Sequence, residues 1–169
     1  MKNFVGIAVL AFVLGLISCS DSLAKTKVGE APEVEVATES KVEYDSLLAK
    51  EYGADDYGMK KYVIAFLKSG PNRDQDSATR AKLQRAHLDN ITRLANEGKL
   101  VLAGPFFGNG ELRGIYIFDA QSIEEAEALT NSDPAIKAGS LVMELKEWYG
   151  SAALMGLNEV HEKIAKIKI

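Results

Sequence analysis

Three features of this 169-residue chain predict an α+β domain with elements in the order β-α-β-β-α-β. First, four short runs rich in β-branched and aromatic residues, at 61–68, 99–107, 112–119 and 141–148, read as strands. Second, the stretch between the first two runs has helical periodicity. At about 100° per residue, Leu83, His87, Ile91 and Leu94 fall within about 80° of one another, on one stripe. Third, Ser122 stands three residues before Glu125, the spacing of a capping box, and so opens a second helix between the third and fourth runs. Two helices and one hairpin distributed in this way give the split βαβ, or ferredoxin-like, arrangement.

The elements follow in order. KYVIAFLK is an apolar first strand, and Ser69-Gly70-Pro71-Asn72 punctuates its end. Asp76 or Ser77 caps the long helix, which runs to about residue 96, and Gly98 stops it. KLVLAGPFF is the second strand, Asn109-Gly110 signals a hairpin, and LRGIYIFD returns antiparallel. The second helix spans about 123–130. Asp133-Pro134 starts a short turn or helical segment that reaches Gly139, and LVMELKEW is the fourth strand. A tail helix is expected over 151–169, with Leu154, Leu157, Val160 and Ile164 as its stripe and Lys163, Lys166 and Lys168 toward its C-terminal end. Strand residues of both parities are apolar, so both faces of the sheet call for cover.

The N-terminal third has a different composition. Lys2 precedes an apolar run of about 14 residues, which is too short for a comfortable membrane span. Leu16-Ile17-Ser18-Cys19 follows, and Cys19 is the only cysteine of the chain. Residues 1–18 therefore read as a bacterial lipoprotein signal peptide and Cys19 as the acylated residue. Its acyl chains would anchor the protein in the cell envelope. Residues 19–41 have no aromatic residue and many Glu, Lys, Ser and Thr, and read as a flexible tether. Residues 42–58 form an N-terminal extension in which Tyr44, Leu48 and Tyr52 are spaced for a short helix over about 45–52. The domain proper occupies 59–150.

A net charge of −4, with 20 Lys+Arg against 24 Asp+Glu and no basic block, argues against a nucleic-acid partner. Two distant histidines and no cysteine cluster give no metal site. The chain has no Gly-rich phosphate loop and no Ser nucleophile motif, and no cofactor is expected. His87 stands out because it lies mid-stripe, where a polar ring needs a partner or a cavity.

Ala86-His87-Leu88, Glu97-Gly98-Lys99-Leu100, Ala103-Gly104-Pro105 and Asp133-Pro134 with Ala138-Gly139 together resemble the YCII-related domain family. This family belongs to the dimeric α/β-barrel group of ferredoxin-like folds, and the resemblance covers about 59–150. It implies a homodimer, a small-molecule ligand, and a site built from His87 and Asp133. It also implies lyase or isomerase chemistry on a small oxygenated metabolite. An aspartate beside the imidazole would fix the ring's tautomer and suit it to general acid–base work beside a carbonyl. Gly104 and Pro105 bend the second strand, and Phe106, Phe107, Trp148 and Tyr149 are expected to wall a pocket. The plainer alternatives are a core histidine, an Asp-Pro turn and core aromatics. In that case the domain would be a non-catalytic ligand- or partner-binding module of the envelope.

Overall fold

The computed structural model describes residues 42–167. The signal segment 1–18, Cys19, the tether 19–41 and the final two residues lie outside the described residues. The described chain runs α1 (Ser46–Tyr52), β1 (Met59–Ser69), α2 (Ser77–Asn96), β2 (Leu100–Pro105), β3 (Leu112–Phe118), α3 (Ile123–Thr130), α4 (Pro134–Lys137), β4 (Leu141–Ser151), a 3-10 turn (Ala152–Gly156) and α5 (Leu157–Ile164). The four strands form one antiparallel sheet in the order β2-β3-β1-β4, the ferredoxin-like topology.

Local chemistry sets the element ends. Asp45 and Asp76 cap α1 and α2, each accepting two backbone N–H groups with its carboxylate. Gly98 adopts φ +68°, a left-handed conformation open to glycine, and the chain turns from α2 into β2 there. The Ser122 hydroxyl accepts the Glu125 N–H at 3.2 Å. The Glu125 carboxylate reaches one residue past the cap, to the Gln121 N–H at 2.9 Å.

The sheet divides two cores. On one face Val63, Ala65, Leu67, Tyr116 and Phe118 pack against Leu94 of α2 and Ala126 of α3. On the other face Tyr62, Val101 and Ile117 form a smaller cluster, covered by Leu154 and Met155 of the 3-10 turn. Both parities of the strand pattern are thus buried, but only part of the second face is covered.

The C-terminal segment departs from the expected long helix over 151–169. β4 continues to Ser151, pairing Met59 with Ser151 at the far end of β1, and the backbone then tightens into the 3-10 turn before α5. Asn158 of α5 donates to the Leu100 carbonyl at 2.9 Å, which fixes the helix against β2. Of the expected stripe, Leu154 and Leu157 are half-buried, whereas Val160 and Ile164 are exposed. The docking turn leaves only the first part of the stripe over the sheet.

Candidate acid–base site

The site forms where α2, β3 and the start of α4 meet on the helix-covered face. α2 turns His87, Asn90 and Leu94 inward, as its apolar stripe predicts. Asp133 serves as the N-cap of α4, and its Oδ1 accepts the Ala135 N–H at 2.8 Å. Its Oδ2 lies 2.7 Å from His87 Nδ1. The Asp133 side chain is fully buried, and an isolated buried carboxylate would be strongly unfavourable. One of its oxygens is taken by the helix cap and the other by the imidazole. The Asp-Pro cap expected from the sequence and the contact with His87 thus share one residue.

The second ring nitrogen, Nε2, stands 3.2 Å from the Tyr116 hydroxyl of β3. The two rings lie nearly parallel, at 22° with centroids 6.1 Å apart, and Phe118 meets Tyr116 edge-on behind them. Burial pushes the Tyr116 hydroxyl well above its ordinary pKa of 10.0, and the nearby Asp133 charge adds to the effect. Tyr116 therefore stays protonated. Its hydroxyl can donate to Nε2 of the neutral ring and accept from the protonated one. With Tyr116 donating, Nδ1 carries the ring proton and donates it to Asp133.

His87 and Tyr116 open onto a cavity of about 360 Å³. Leu67, Leu83, Leu88, Ile91 and Leu141 provide its apolar wall. Gly104 and Pro105 line it. Phe106 and Trp148 do not. β2 ends at Pro105, so Phe106 leaves the sheet for the connecting loop and is exposed; Phe107 beside it is exposed as well. Trp148 pairs across β4–β1 with Tyr62 and so shares the opposite face of the sheet. Its ring lies over Gly150, where a Cβ would collide with it. Tyr149 is exposed and bonds to Asp55, away from the cavity.

Sequence reasoning missed Tyr116, Arg73, Arg80 and Arg113. Tyr116 shares its parity with Phe118, which faces α2, and that alternation was a usable signal. The arginines lie on a loop, a helix start and a strand, and nothing local in the sequence joins them. Among the described residues there is no group of three or more His, Cys, Asp or Glu side chains placed to hold a metal.

Residues 62–149 match the model of the YCII-related domain. The uncharacterized protein YjpA of Bacillus subtilis (strain 168) is 36% identical over 62 residues, covering 37% of this chain and 71% of that protein. Among solved structures, 5-chloro-2-hydroxyhydroquinone dehydrochlorinase (TftG) from Burkholderia phenoliruptrix AC1100, in complex with 2,5-dihydroxybenzoquinone, is 24% identical with a TM-score of 0.40. The match covers 53% of this chain and 93% of that one. The matched residues 62–149 include His87, Tyr116 and Asp133, and the chain belongs to the YCII-related domain family.

Proposed function

We propose that this domain carries out proton transfer on a small oxygenated metabolite, as a lyase or isomerase, with His87 as the general base. The observation that carries this reading is a fully buried carboxylate 2.7 Å from an imidazole that itself lines an open cavity. In the proposed step, His87 Nε2 takes the proton from a carbon beside a carbonyl, and the C–H electron pair moves into the enolate. Asp133 holds the ring through Nδ1 and balances the imidazolium charge. Tyr116 donates its proton-retaining hydroxyl to the enolate oxygen. Return of the proton to another carbon completes an isomerisation. Departure of a neighbouring leaving group as the enolate collapses completes an elimination.

A different observation favours a non-catalytic binding module: Tyr116 already partners Nε2, so the ring is satisfied without a substrate. The His87→Ala variant separates the two. As a general base, His87 is worth about 10²–10⁴-fold in rate. As a purely structural residue, its loss would orphan Asp133 and lower stability by roughly 1–3 kcal/mol, with ligand binding unchanged. Turnover and melting temperature measured on the same variant decide. Retained turnover in His87→Ala would remove His87 as the general base, and a wild-type chain that binds ligand without turning it over would leave the binding module.

The same proposal holds the domain at the bacterial cell envelope through acyl chains on Cys19, and it rests on Leu16-Ile17-Ser18-Cys19. Mass spectrometry of the membrane-bound protein is expected to find an acylated N-terminal Cys19, and Cys19→Ala is expected to leave the membrane fraction or stay unprocessed. An unmodified mature N-terminus would exclude the anchor.

A further inference from the structure

The cavity beside His87 is charged against the sign of the molecule. The chain carries 24 Asp+Glu against 20 Lys+Arg, yet Arg73, Arg80 and Arg113 line this cavity and, among the described residues, no Asp or Glu does. Asp133, the nearest carboxylate described above, is buried behind the imidazole and engaged by it.

The three arginines come from three separate elements: the β1–α2 loop, the first turn of α2, and β3. Among the described residues each makes one backbone hydrogen bond. Arg73 Nη1 donates to the Ser140 carbonyl at 3.4 Å, Arg80 Nη1 to the Gln75 carbonyl at 2.9 Å, and Arg113 Nη1 to the Gly108 carbonyl at 3.4 Å. A guanidinium has five N–H donors, so most of theirs are free for a ligand. None of the three is ion-paired among the described residues. Arg85 and Arg93, which are not among the residues lining the cavity, are each paired with a carboxylate four residues on, Asp89 and Glu97. Three unpaired guanidinium groups around one concavity raise its positive potential, and anionic oxygens presented by a ligand would relieve their mutual repulsion.

We propose that Arg73, Arg80 and Arg113 form an anion clamp, so that the molecule entering this site carries carboxylate or phosphate oxygens at one end. Its other end reaches His87 and Tyr116 across the apolar wall of Leu83, Leu88 and Ile91. That the bound anion is also the substrate rests on the proton-transfer reading of His87; the clamp itself does not. The clamp differs from the acid–base pair in its task. It fixes the ligand's orientation and selects charge, and the pair acts on the opposite end.

Calorimetric binding to the full-length chain tests the clamp with unreactive probes, so the result is independent of whether His87 is catalytic. Malonate and inorganic phosphate represent the two anionic headgroups, and malonamide is the uncharged control. Malonate or phosphate is expected to bind at least about tenfold more tightly than malonamide, with affinity falling as salt rises. The tighter of the two dianions identifies the headgroup. Replacing all three arginines by Gln is expected to abolish the preference, whereas Arg85→Gln leaves it intact. Arg73 and Arg80 are exposed, so their single variants keep the core unaltered and are expected to weaken anion binding about tenfold each. Equal affinity of the wild-type chain for malonate, phosphate and malonamide overturns the proposal. So does a triple variant that remains folded by circular dichroism and keeps the preference.

Discussion

The Tyr116 hydroxyl lies 3.2 Å from the second ring nitrogen of His87. In the sequence Tyr116 is one aromatic of an apolar strand, beside Phe118. In the fold it is the partner of His87 Nε2, with its hydroxyl proton retained by burial and by the Asp133 charge. Its folded pKa is raised above the ordinary 10.0. The stability linked to that difference is present in full below about pH 10. It is lost as pH rises beyond that value, because only the unfolded chain then releases the proton. Tyr62, pushed up to about 12 by burial and then by Asp119, contributes in the same direction. Chemical denaturation between pH 8 and pH 11 is therefore expected to show stability falling above about pH 10, with a shallower fall in Tyr116→Phe. At neutral pH the same variant is expected to lose about 1 kcal/mol with the hydrogen bond to His87. Its turnover is expected to fall by about 10²–10³-fold if the hydroxyl stabilises an enolate oxygen. An identical pH profile in the wild type and Tyr116→Phe would show that the buried hydroxyl plays no part.

Elements were legible where the local chemistry is self-sufficient. The Asp76 cap, the apolar stripe and Gly98 together define α2 without reference to anything distant, and the stripe also turned His87 inward. Asp133 was legible as a turn residue from Asp-Pro, and the family resemblance marks it as a candidate site residue. Its contact with a histidine 46 positions away depends on how α2 and α4 pack, which no window of sequence contains. Phe106 and Trp148 were misread for the same reason. An aromatic near a strand end is apolar either way, and the strand's end point and parity decide whether it meets the cavity, the solvent or the far face. The C-terminal stretch has helical periodicity through Leu154, Leu157, Val160 and Ile164, but β4 extends three residues beyond the predicted 148 and consumes the start of that stretch. Extended pairing with β1 outweighs the helical pattern there, because each added residue of β4 finds a partner on a strand already in place.

At the scale of the molecule, the C-terminal turn covers only part of the second sheet face. Leu154 and Met155 shield Tyr62, Val101 and Ile117, but they end there. Beyond them the face carries Phe66 of β1, with Leu112 and the Lys68–Glu144–Lys146 charges around a shallow depression, and Val142 is exposed on β4. An apolar patch rimmed by charges of both signs suits a self-complementary contact, in which a lysine of one copy faces Glu144 of the other. We therefore propose a homodimer through this half of the face, smaller than the full sheet-on-sheet contact of a dimeric barrel because the C-terminal turn occupies the remainder. Light scattering of the compact unit Val42–Ile169 is expected to give twice the chain mass at micromolar concentration. Phe66→Glu would place a charge at the centre of the patch and is expected to return the protein to a monomer. The His87–Asp133 pair lies across the sheet on the helix-covered side, so ligand binding is expected to survive that change. A wild-type protein that stays monomeric at these concentrations would leave this face to another partner and remove the dimer from the account.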